Sequence, residues 1–355
     1  MKKFGMLGIT LLVCISLMGC SLGSESPKKK GETKTVEVSK KSIAIKVLSG
    51  TYVIPKSEND EKYLSLRIKL TNNSTETERL LANNFSLVNK EKEATNAESY
   101  IGYSHMSMDN DYLTAKKITA DTSLTGNIVF KIEKQGVYTL NYAPNIKKAK
   151  PISLKIDTRN YEDKSKEAEK ALKAYVNEVY LGKSDLYADK YVENSLTADK
   201  KEFDTETKEK IQRNFTFSNP IADKDLTALL KELKKGNASR GHVAYTLESF
   251  SGEDAYIGVK VRTISLTDLN SQMSDLSNKL QKETNYKASY KETQSAVIGI
   301  VIKEFPEILT KMPLKTSTVS TVHLKKVNSK WKIDTEDIGI NSTAEIAKKF
   351  EGTTY

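Results

Sequence analysis

Alternating apolar and polar residues run through the first part of the chain, from Thr35 to Ile156. Over 64–70, Leu or Ile occupies every second position and polar residues lie between, which is typical of a strand with one buried face. Similar alternation recurs over 43–47, 85–87, 128–132, 138–142 and 152–156. About seven short strands without a long helix predict an antiparallel β-sandwich over 35–157.

The period changes after Tyr161. Apolar residues at positions 168, 171, 172, 175, 176, 179 and 180 have the three- and four-residue spacing of an amphipathic helix. Ser165 is placed to cap this helix and Gly182 to end it. A weaker helical pattern covers 205–214, and leucines at 226, 229, 230 and 233 predict a third helix that ends at Gly236.

Strands and further helices follow towards the C-terminus. Alternation predicts strands over 243–250 and 255–266, and helical spacing returns between Leu269 and Leu280. The apolar segment 296–302 is interpreted as helix, and 316–327 with 330–334 as a hairpin. Together these elements predict an α+β domain over 162–340, preceded by a hinge and followed by a C-terminal tail over 341–355. The hinge is placed at Asp157 to Glu162.

Three segments of the first domain resemble a known family. The strand 63–71 with its Asn72-Asn73-Ser74 exit looks like the central strand of telokin-like, immunoglobulin-type domains of Gram-positive surface lipoproteins. Segments 84–88 and 124–132 fit the same pattern, and 94–117 would be the long variable connection of that family. The resemblance implies an immunoglobulin-like fold and no catalytic residue.

The closing hairpin, 322–334, resembles the last strands of cystatin-like and nuclear-transport-factor-like cones. In those folds a tryptophan near the end packs into the core, and Trp331 would be its equivalent. The helical block 267–312 departs from the usual cone and is interpreted as inserted helices. The region is also similar to the uncharacterised C-terminal α+β domain that accompanies such sandwiches in Gram-positive lipoproteins.

The N-terminus has the pattern of a lipoprotein signal. Lys2 and Lys3 precede an apolar stretch that is too short to span a bilayer permanently. The stretch ends in Leu17-Met18-Gly19-Cys20, which resembles the lipobox of bacterial lipoproteins. We therefore expect a signal peptide over 1–19, lipid attachment at Cys20 and a flexible tether over 20–34. The alternative is an ordinary secretory signal with an incidental cysteine.

Composition and charge limit the classes of partner that this protein is expected to bind. The 355 residues are 38% hydrophobic and 29% charged, which suits one or two globular domains. The formal net charge is +10, but acidic residues are interleaved and no concentrated basic stripe is present, so we expect no nucleic-acid partner. Lys28, Lys29 and Lys30 would either contact anionic headgroups or only keep the tether soluble.

The sequence contains no recognisable set of catalytic or cofactor-binding residues. Cys14 would leave with the signal and Cys20 would be acylated, so the mature chain would have no thiolate for catalysis or for binding a metal. His105, His242 and His323 are isolated, and no nucleophile elbow or Gly-rich phosphate loop is present. The remaining candidates are tyrosines. A pocket between the first helix of the second domain and its sheet would be lined by Tyr175, Tyr180, Tyr245 and Tyr256, and a binding loop on the first domain would contain Tyr100, Tyr103 and Tyr112. The alternative for both sets is ordinary core or surface aromatic residues.

The sequence supports two candidate functions of different classes. The first is a membrane-anchored extracellular lipoprotein that binds a protein or a cell-wall polymer without catalysis. The second is a small-molecule carrier or enzyme that uses a pocket in the C-terminal α+β domain. The solute-binding component of an importer fits less well, because such proteins have parallel strands in two α/β lobes. No cofactor is expected, and the oligomeric state is open.

Overall fold

The N-terminal region is built from antiparallel strands. A computed structural model describes residues 43–55, 61–99, 112–147, 149–215, 220–285, 287–336 and 343–352, all of which belong to one compact unit. The strands of this region are β1 (Ile43–Val53), β2 (Tyr63–Asn72), β3 (Glu78–Arg79), β4 (Phe85–Val88), β5 (Ala94–Asn96), β6 (Lys117–Ile118), β7 (Thr122–Lys131), β8 (Val137–Tyr142) and β9 (Ile152–Asp157).

Two sheets share the core of this β-rich region. One has the order β1-β2-β7 and the other β5-β4-β8-β9, while β3 pairs with β6. Leu64, Leu66 and Ile68 of β2 are fully buried, as their alternation predicted. From the other sheet, Phe85 stacks on Tyr142 with ring centroids 4.5 Å apart. Each such side chain contributes about 1.5–3 kcal/mol by its removal from water, so this core holds the two sheets together.

The Asn72-Asn73-Ser74 exit of β2 is a hydrogen-bonded turn. The buried Asn72 amide donates to the carbonyl oxygens of Glu76 at 2.8 Å and Ile118 at 3.1 Å. Its Oδ1 accepts from the backbone N–H and the hydroxyl of Ser74. Asn72 thereby satisfies polar groups where the strand leaves the sheet, which a purely apolar residue could not do.

Seven helices and five strands are described in the C-terminal region, which is therefore mixed α/β. The helices are α1 (Ser165–Val179), α2 (Ala188–Tyr191), α3 (Leu196–Asn214), α4 (Asp223–Arg240), α5 (Leu269–Glu283), α6 (Tyr290–Lys311) and α7 (Thr343–Phe350). The strands are β10 (His242–Phe250), β11 (Asp254–Ile264), β12 (Leu314–Thr316), β13 (Ser320–Val327) and β14 (Lys330–Ile333). They form an antiparallel sheet of order β10-β11-β13-β14, and β12 also pairs with β11.

Helix α1 packs against this sheet. Its predicted apolar positions, among them Leu172, Tyr175 and Val176, are buried together with residues of β11, β13 and β14. Trp331 of β14 lies in the same core and is fully buried, as the hairpin resemblance implied. Gly182 follows the helix with φ +62°, a left-handed conformation that glycine adopts without strain.

A second C-terminal core lies among α4, α5 and α6. The segment 296–302, interpreted as helix from sequence, lies within α6, with Val297 and Val301 buried. A capping box begins α6, because Ser289 and Glu292 each accept a hydrogen bond from the other's backbone N–H. Burial of its apolar face explains why β-branched residues are tolerated in this helix.

Two helices extend beyond their predicted limits. Helix α3 begins at Leu196 rather than near 205, and α4 continues through Gly236 to Arg240. The prediction that Gly236 ends a helix was wrong, because this glycine serves close packing. A Cβ at Gly236 would lie 2.7 Å from the Ile264 side chain on β11. The helix can approach the sheet only because that atom is absent.

The C-terminal segment differs from the predicted tail over 341–355. It contains α7, whose Ile346 and Phe350 are buried in the same core as α1. The backbone carbonyl of Phe350 accepts from the side chain of Asn237 at 3.1 Å. Glu351, fully buried just after the helix, accepts from Lys210 of α3. An eight-residue amphipathic pattern so near the end of the chain was too short to detect.

The two regions are joined by backbone hydrogen bonds and side-chain contacts. Ile54 and Phe250 exchange backbone bonds of 2.8 and 2.7 Å, which link the end of β1 to the end of β10. The segment predicted as a hinge is packed: Thr158 is fully buried, and the ring of Tyr161 lies over Gly50. These contacts hold the β-rich region directly against the C-terminal sheet.

The buried Glu351 makes stability depend on pH. Burial raises the pKa of this carboxyl above its ordinary value, and the ion pair with Lys210 offsets only part of that rise. With the folded pKa above the unfolded one, the contribution to stability is complete below the unfolded pKa and is lost as pH rises through the folded pKa. We therefore expect Glu351→Gln to reduce the loss of urea-unfolding free energy that accompanies a rise in pH above the ordinary pKa of a glutamate.

The control is Glu345→Gln, which removes a partly exposed carboxylate from α7, the helix that directly precedes Glu351. This variant should keep the pH dependence of the unmodified chain. An identical pH profile for Glu351→Gln and the unmodified chain would contradict the buried position of Glu351.

Candidate functional site

A cavity of about 430 Å³ opens among the end of α1 and the facing sides of α3 and α4. The residues that line it are mostly lysines and small or apolar side chains: Leu181, Gly182, Lys183, Lys200, Asp204, Thr227, Leu230, Lys231, Lys234, Lys235 and Ala238. Its size lies within the range of small-molecule sites. Five lysines face a single carboxylate, so the cavity carries net positive charge. We call it the lysine pocket.

Two buried residues, Leu230 and Lys234, contribute to the lining. The Lys234 ammonium donates to the carbonyl oxygen of Val179 at 2.8 Å and to Asp204 on α3. It also lies 4.9 Å from the ring centroid of Phe203. These partners compensate a charge that would otherwise be costly to bury.

Burial changes the proton affinity of Lys234. Loss of water around the ammonium lowers its pKa below the ordinary value, while Asp204 acts in the opposite direction. The neighbouring ammonium of Lys200 lowers the pKa of Lys234 further. The Lys234–Asp204 ion pair therefore lies beside a second positive charge, that of Lys200, and an anion in the pocket would offset the repulsion between the two lysines.

The exposed lysines of the pocket differ in their partners. Lys183 donates to the carbonyl oxygen of Ala238 at 2.8 Å. Lys235 lies 3.5 Å from Glu232 on the same helix. Lys200 on α3 and Lys231 on α4 have no ion-pair or hydrogen-bond partner for their ammonium groups among the described residues. These two charges are free to bind an anion.

A smaller cavity of about 170 Å³ lies next to the lysine pocket. It shares Leu181, Lys183 and Ala238 with that pocket and is also lined by His242 and Tyr245. The tyrosines proposed from sequence are not brought together there. Tyr175 and Tyr180 form part of a buried aromatic cluster.

The remaining tyrosine candidates lie elsewhere. Tyr256 stacks on His323 with ring centroids 4.6 Å apart. Tyr112 is buried against Val53 and Val129 rather than exposed on a loop. Tyr100 and Tyr103 lie outside the described residues. Of the five proposed tyrosines that the structure describes, Tyr245 alone lines one of these two cavities.

His323 takes part in a polar cluster on the C-terminal sheet. Its Nε2 lies 2.9 Å from Asp254 Oδ1, and its Nδ1 lies 3.8 Å from Asp334 Oδ2. No group of three or more His, Cys, Asp or Glu side chains within the described ranges is arranged to bind a metal ion. His105 lies outside those ranges, and His242 is exposed at the start of β10.

A serine–lysine pair that the sequence did not reveal lies in the core. Lys349 of α7 donates to the Ser320 hydroxyl at 2.5 Å, and burial lowers the pKa of this lysine. Such pairs can activate a serine nucleophile. Here Ser320 is fully buried, and neither residue lines either cavity. The contact satisfies two buried polar groups and offers no access to a substrate.

The predicted lipid-attachment residue, Cys20, lies outside the described residues, as do the signal peptide over 1–19 and the tether over 20–34. Within the described part of the chain, no helix combines the length and apolarity needed to cross a bilayer.

Comparison with known proteins adds two family models and a relative. A model described as a domain of unknown function, DUF5105, matches residues 159–350, and another, DUF4352, matches residues 29–152. The chain is 25% identical to the uncharacterised lipoprotein YcdA of Bacillus subtilis, over 98% of each sequence. A crystal structure of YcdA superimposes with a TM-score of 0.69 at 21% identity, covering 91% of this chain and 99% of that one.

These comparisons confirm the resemblance to bacterial lipoproteins with two regions. The order of the two family models fits a β-rich region followed by an uncharacterised mixed α/β region. The YcdA structure shares this overall fold.

The ion pair at the lysine pocket generates a stability prediction. We expect Asp204→Asn to lower the free energy of unfolding by about 1–3 kcal/mol, because it leaves the buried Lys234 ammonium without its carboxylate. The double variant Asp204→Asn/Lys234→Met should recover most of that loss, since an apolar side chain of similar length fills the same space. Urea unfolding measures both values.

Glu202→Gln is the matched control, because it removes an exposed carboxylate from the same helix. Its free energy of unfolding should stay within about 0.5 kcal/mol of the unmodified chain. If Asp204→Asn behaved like Glu202→Gln, the structural importance of the Lys234–Asp204 pair would be disproved.

Proposed function

We propose that this protein is a lipid-anchored, non-enzymatic binding protein of the cell surface. The chain belongs to the family described as a domain of unknown function, DUF5105. The observation that carries the proposal is the lysine pocket, a cavity of about 430 Å³ lined by five lysines and one carboxylate. Its charge suits an anionic ligand. The proposed position of the chain is the extracellular face of the cytoplasmic membrane.

The N-terminal sequence supports the anchor. The positive start, the apolar stretch and the Gly19-Cys20 junction coincide as they do in lipoprotein signals. The relative from Bacillus subtilis is a lipoprotein, and its similarity covers 98% of this chain. Two acyl chains on Cys20 would give stable membrane attachment, where one chain gives only reversible binding.

We also propose a known fold for each of the two regions. Two facing antiparallel sheets and the Asn72 turn support an immunoglobulin-like, telokin-like sandwich over 35–157. Helix α1 packed on an antiparallel sheet that contains the buried Trp331 supports a cystatin-like or nuclear-transport-factor-like cone over 162–340. Helices α5 and α6 would be insertions in that cone.

The lysine pocket favours a carrier of small molecules over an enzyme. Its lining has a lysine–carboxylate ion pair and no histidine, serine or cysteine. The Ser320–Lys349 pair, which has the chemistry of an activated nucleophile, lies in the core away from the pocket. A ligand in the lysine pocket would therefore meet ammonium groups that bind it, while Lys234, the lining lysine with a lowered pKa, is engaged by Asp204.

The anchor predicts the location of a variant. Cys20→Ala removes the thioether-forming residue, so the protein should leave the membrane fraction and appear in the culture medium. Immunoblotting of membrane and medium fractions measures the distribution, with Ser21→Ala as the control that stays in the membrane. Quantitative retention of Cys20→Ala in the membrane would contradict lipid anchoring.

If the lysine pocket binds a ligand, a side chain that fills the pocket should prevent that ligand from binding. Native mass spectrometry of the full chain purified from its own cells should show a fraction of molecules with a bound small mass. Thr227→Trp should abolish that species, because an indole at this position of the lining fills the cavity. Ala228→Trp places the same group on the adjacent exposed position of α4, outside the lining, and should leave the bound mass in place.

Equal loss in both variants, or no bound mass on the unmodified chain, would contradict ligand binding at the lysine pocket. Circular dichroism of the three proteins checks that each one is folded.

A further inference from the structure

We infer that the lysine pocket binds an amphiphile, a molecule with a phosphate monoester head and a short apolar chain. This inference deepens the proposed binding function and rests on it. The lining has two features that would be matched by different parts of one ligand. Its ammonium groups without an internal partner would bind an anion, and its apolar side chains would pack against an apolar group.

The anionic part of the ligand is inferred from the partners that the charged groups of the pocket already have. Asp204 pairs with Lys234. Lys183 donates a hydrogen bond to the Ala238 carbonyl, and Lys235 forms an ion pair with Glu232. Lys200 and Lys231, which lie on different helices, remain uncommitted within the described chain. An anion between them would gain charge-assisted hydrogen bonds from both.

The number of free charges favours phosphate over carboxylate. A phosphate monoester carries roughly −1.5 to −2 charges at pH 7 and three acceptor oxygens. Two ammonium groups, each with three donor hydrogens, can neutralise that charge from two sides. A carboxylate carries a single charge and would leave one of the two lysines, Lys200 or Lys231, without a counter-ion.

The apolar part follows from the rest of the lining. Leu181, Leu230 and Ala238 contribute apolar surface, and the methylene stems of the lysines add to it. Inorganic phosphate would leave this surface in contact with water. A chain of several methylenes would cover it, each buried methylene contributing favourably to binding, and the cavity of about 430 Å³ has room for both parts.

Isothermal titration calorimetry on the purified full-length chain tests the inference with four solutes: octyl phosphate, octanoate, octanol and inorganic phosphate. We expect octyl phosphate to bind at least roughly tenfold more tightly than each of the other three. Its affinity should also fall as the salt concentration rises, because the two lysines are exposed.

Two double variants identify the residues responsible. Lys200→Gln/Lys231→Gln should weaken octyl phosphate binding roughly tenfold. Lys201→Gln/Lys224→Gln removes the same number of charges from exposed positions of the same two helices that do not line the pocket, so its affinity should stay within about twofold.

The failures can be told apart. Octanoate or octanol binding as tightly as octyl phosphate would overturn the phosphate head while leaving the proposed binding function in place. Equal weakening by the two double variants, or no binding of octyl phosphate, would overturn the inference. If no bound mass is found on the unmodified chain either, the proposed function falls together with it.

Discussion

Helix α4 lies close against strand β11, and this contact fixes the elements on which the lysine pocket depends. The side chain of Asn237 accepts from the Ile264 backbone N–H at 2.9 Å and donates to the Phe350 carbonyl at 3.1 Å. One buried amide thus ties a helix, a strand and the C-terminal helix together. Gly236 allows the approach, because a Cβ there would overlap Ile264. Since α4 carries six of the eleven lining residues, its position determines the shape of the pocket.

Regular hydrophobic patterns in the sequence predicted most elements of the fold. The alternation over 64–70 and the helical spacing over 168–180 each place apolar residues on one face, and burial of that face is what makes the element stable. The failures came where local pattern and tertiary packing disagree. Gly236 is a helix stop by propensity, but close packing against Ile264 keeps it inside α4. Helix α7 is stabilised by partners far away in the chain, which no short window can reveal.

The candidate site was harder to predict, because it combines side chains of α3 and α4 with the loop that follows α1. Lys231, Lys234 and Lys235 are identical in type, and only the structure shows that Lys234 alone is buried. One signal was present in the sequence. The residues at 227, 230, 231, 234 and 238 form a second stripe on α4, beside the leucines at 226, 229 and 233. This stripe combines the apolar Leu230 and Ala238 with a threonine and two lysines, and such a mixture indicates a face that is partly covered by another element.

The buried and exposed lysines of the pocket have different physical roles. The ammonium of Lys234 is paired inside the protein with Asp204 and the Val179 carbonyl. These contacts connect α1, α3 and α4, and they leave the charge of Lys234 already neutralised. Lys200 and Lys231 are exposed to water and have no internal partner among the described residues. Because Asp204 is already engaged, no carboxylate of the lining is left to neutralise these two. The internal ion pair is therefore what leaves the positive charge of the pocket available to a ligand.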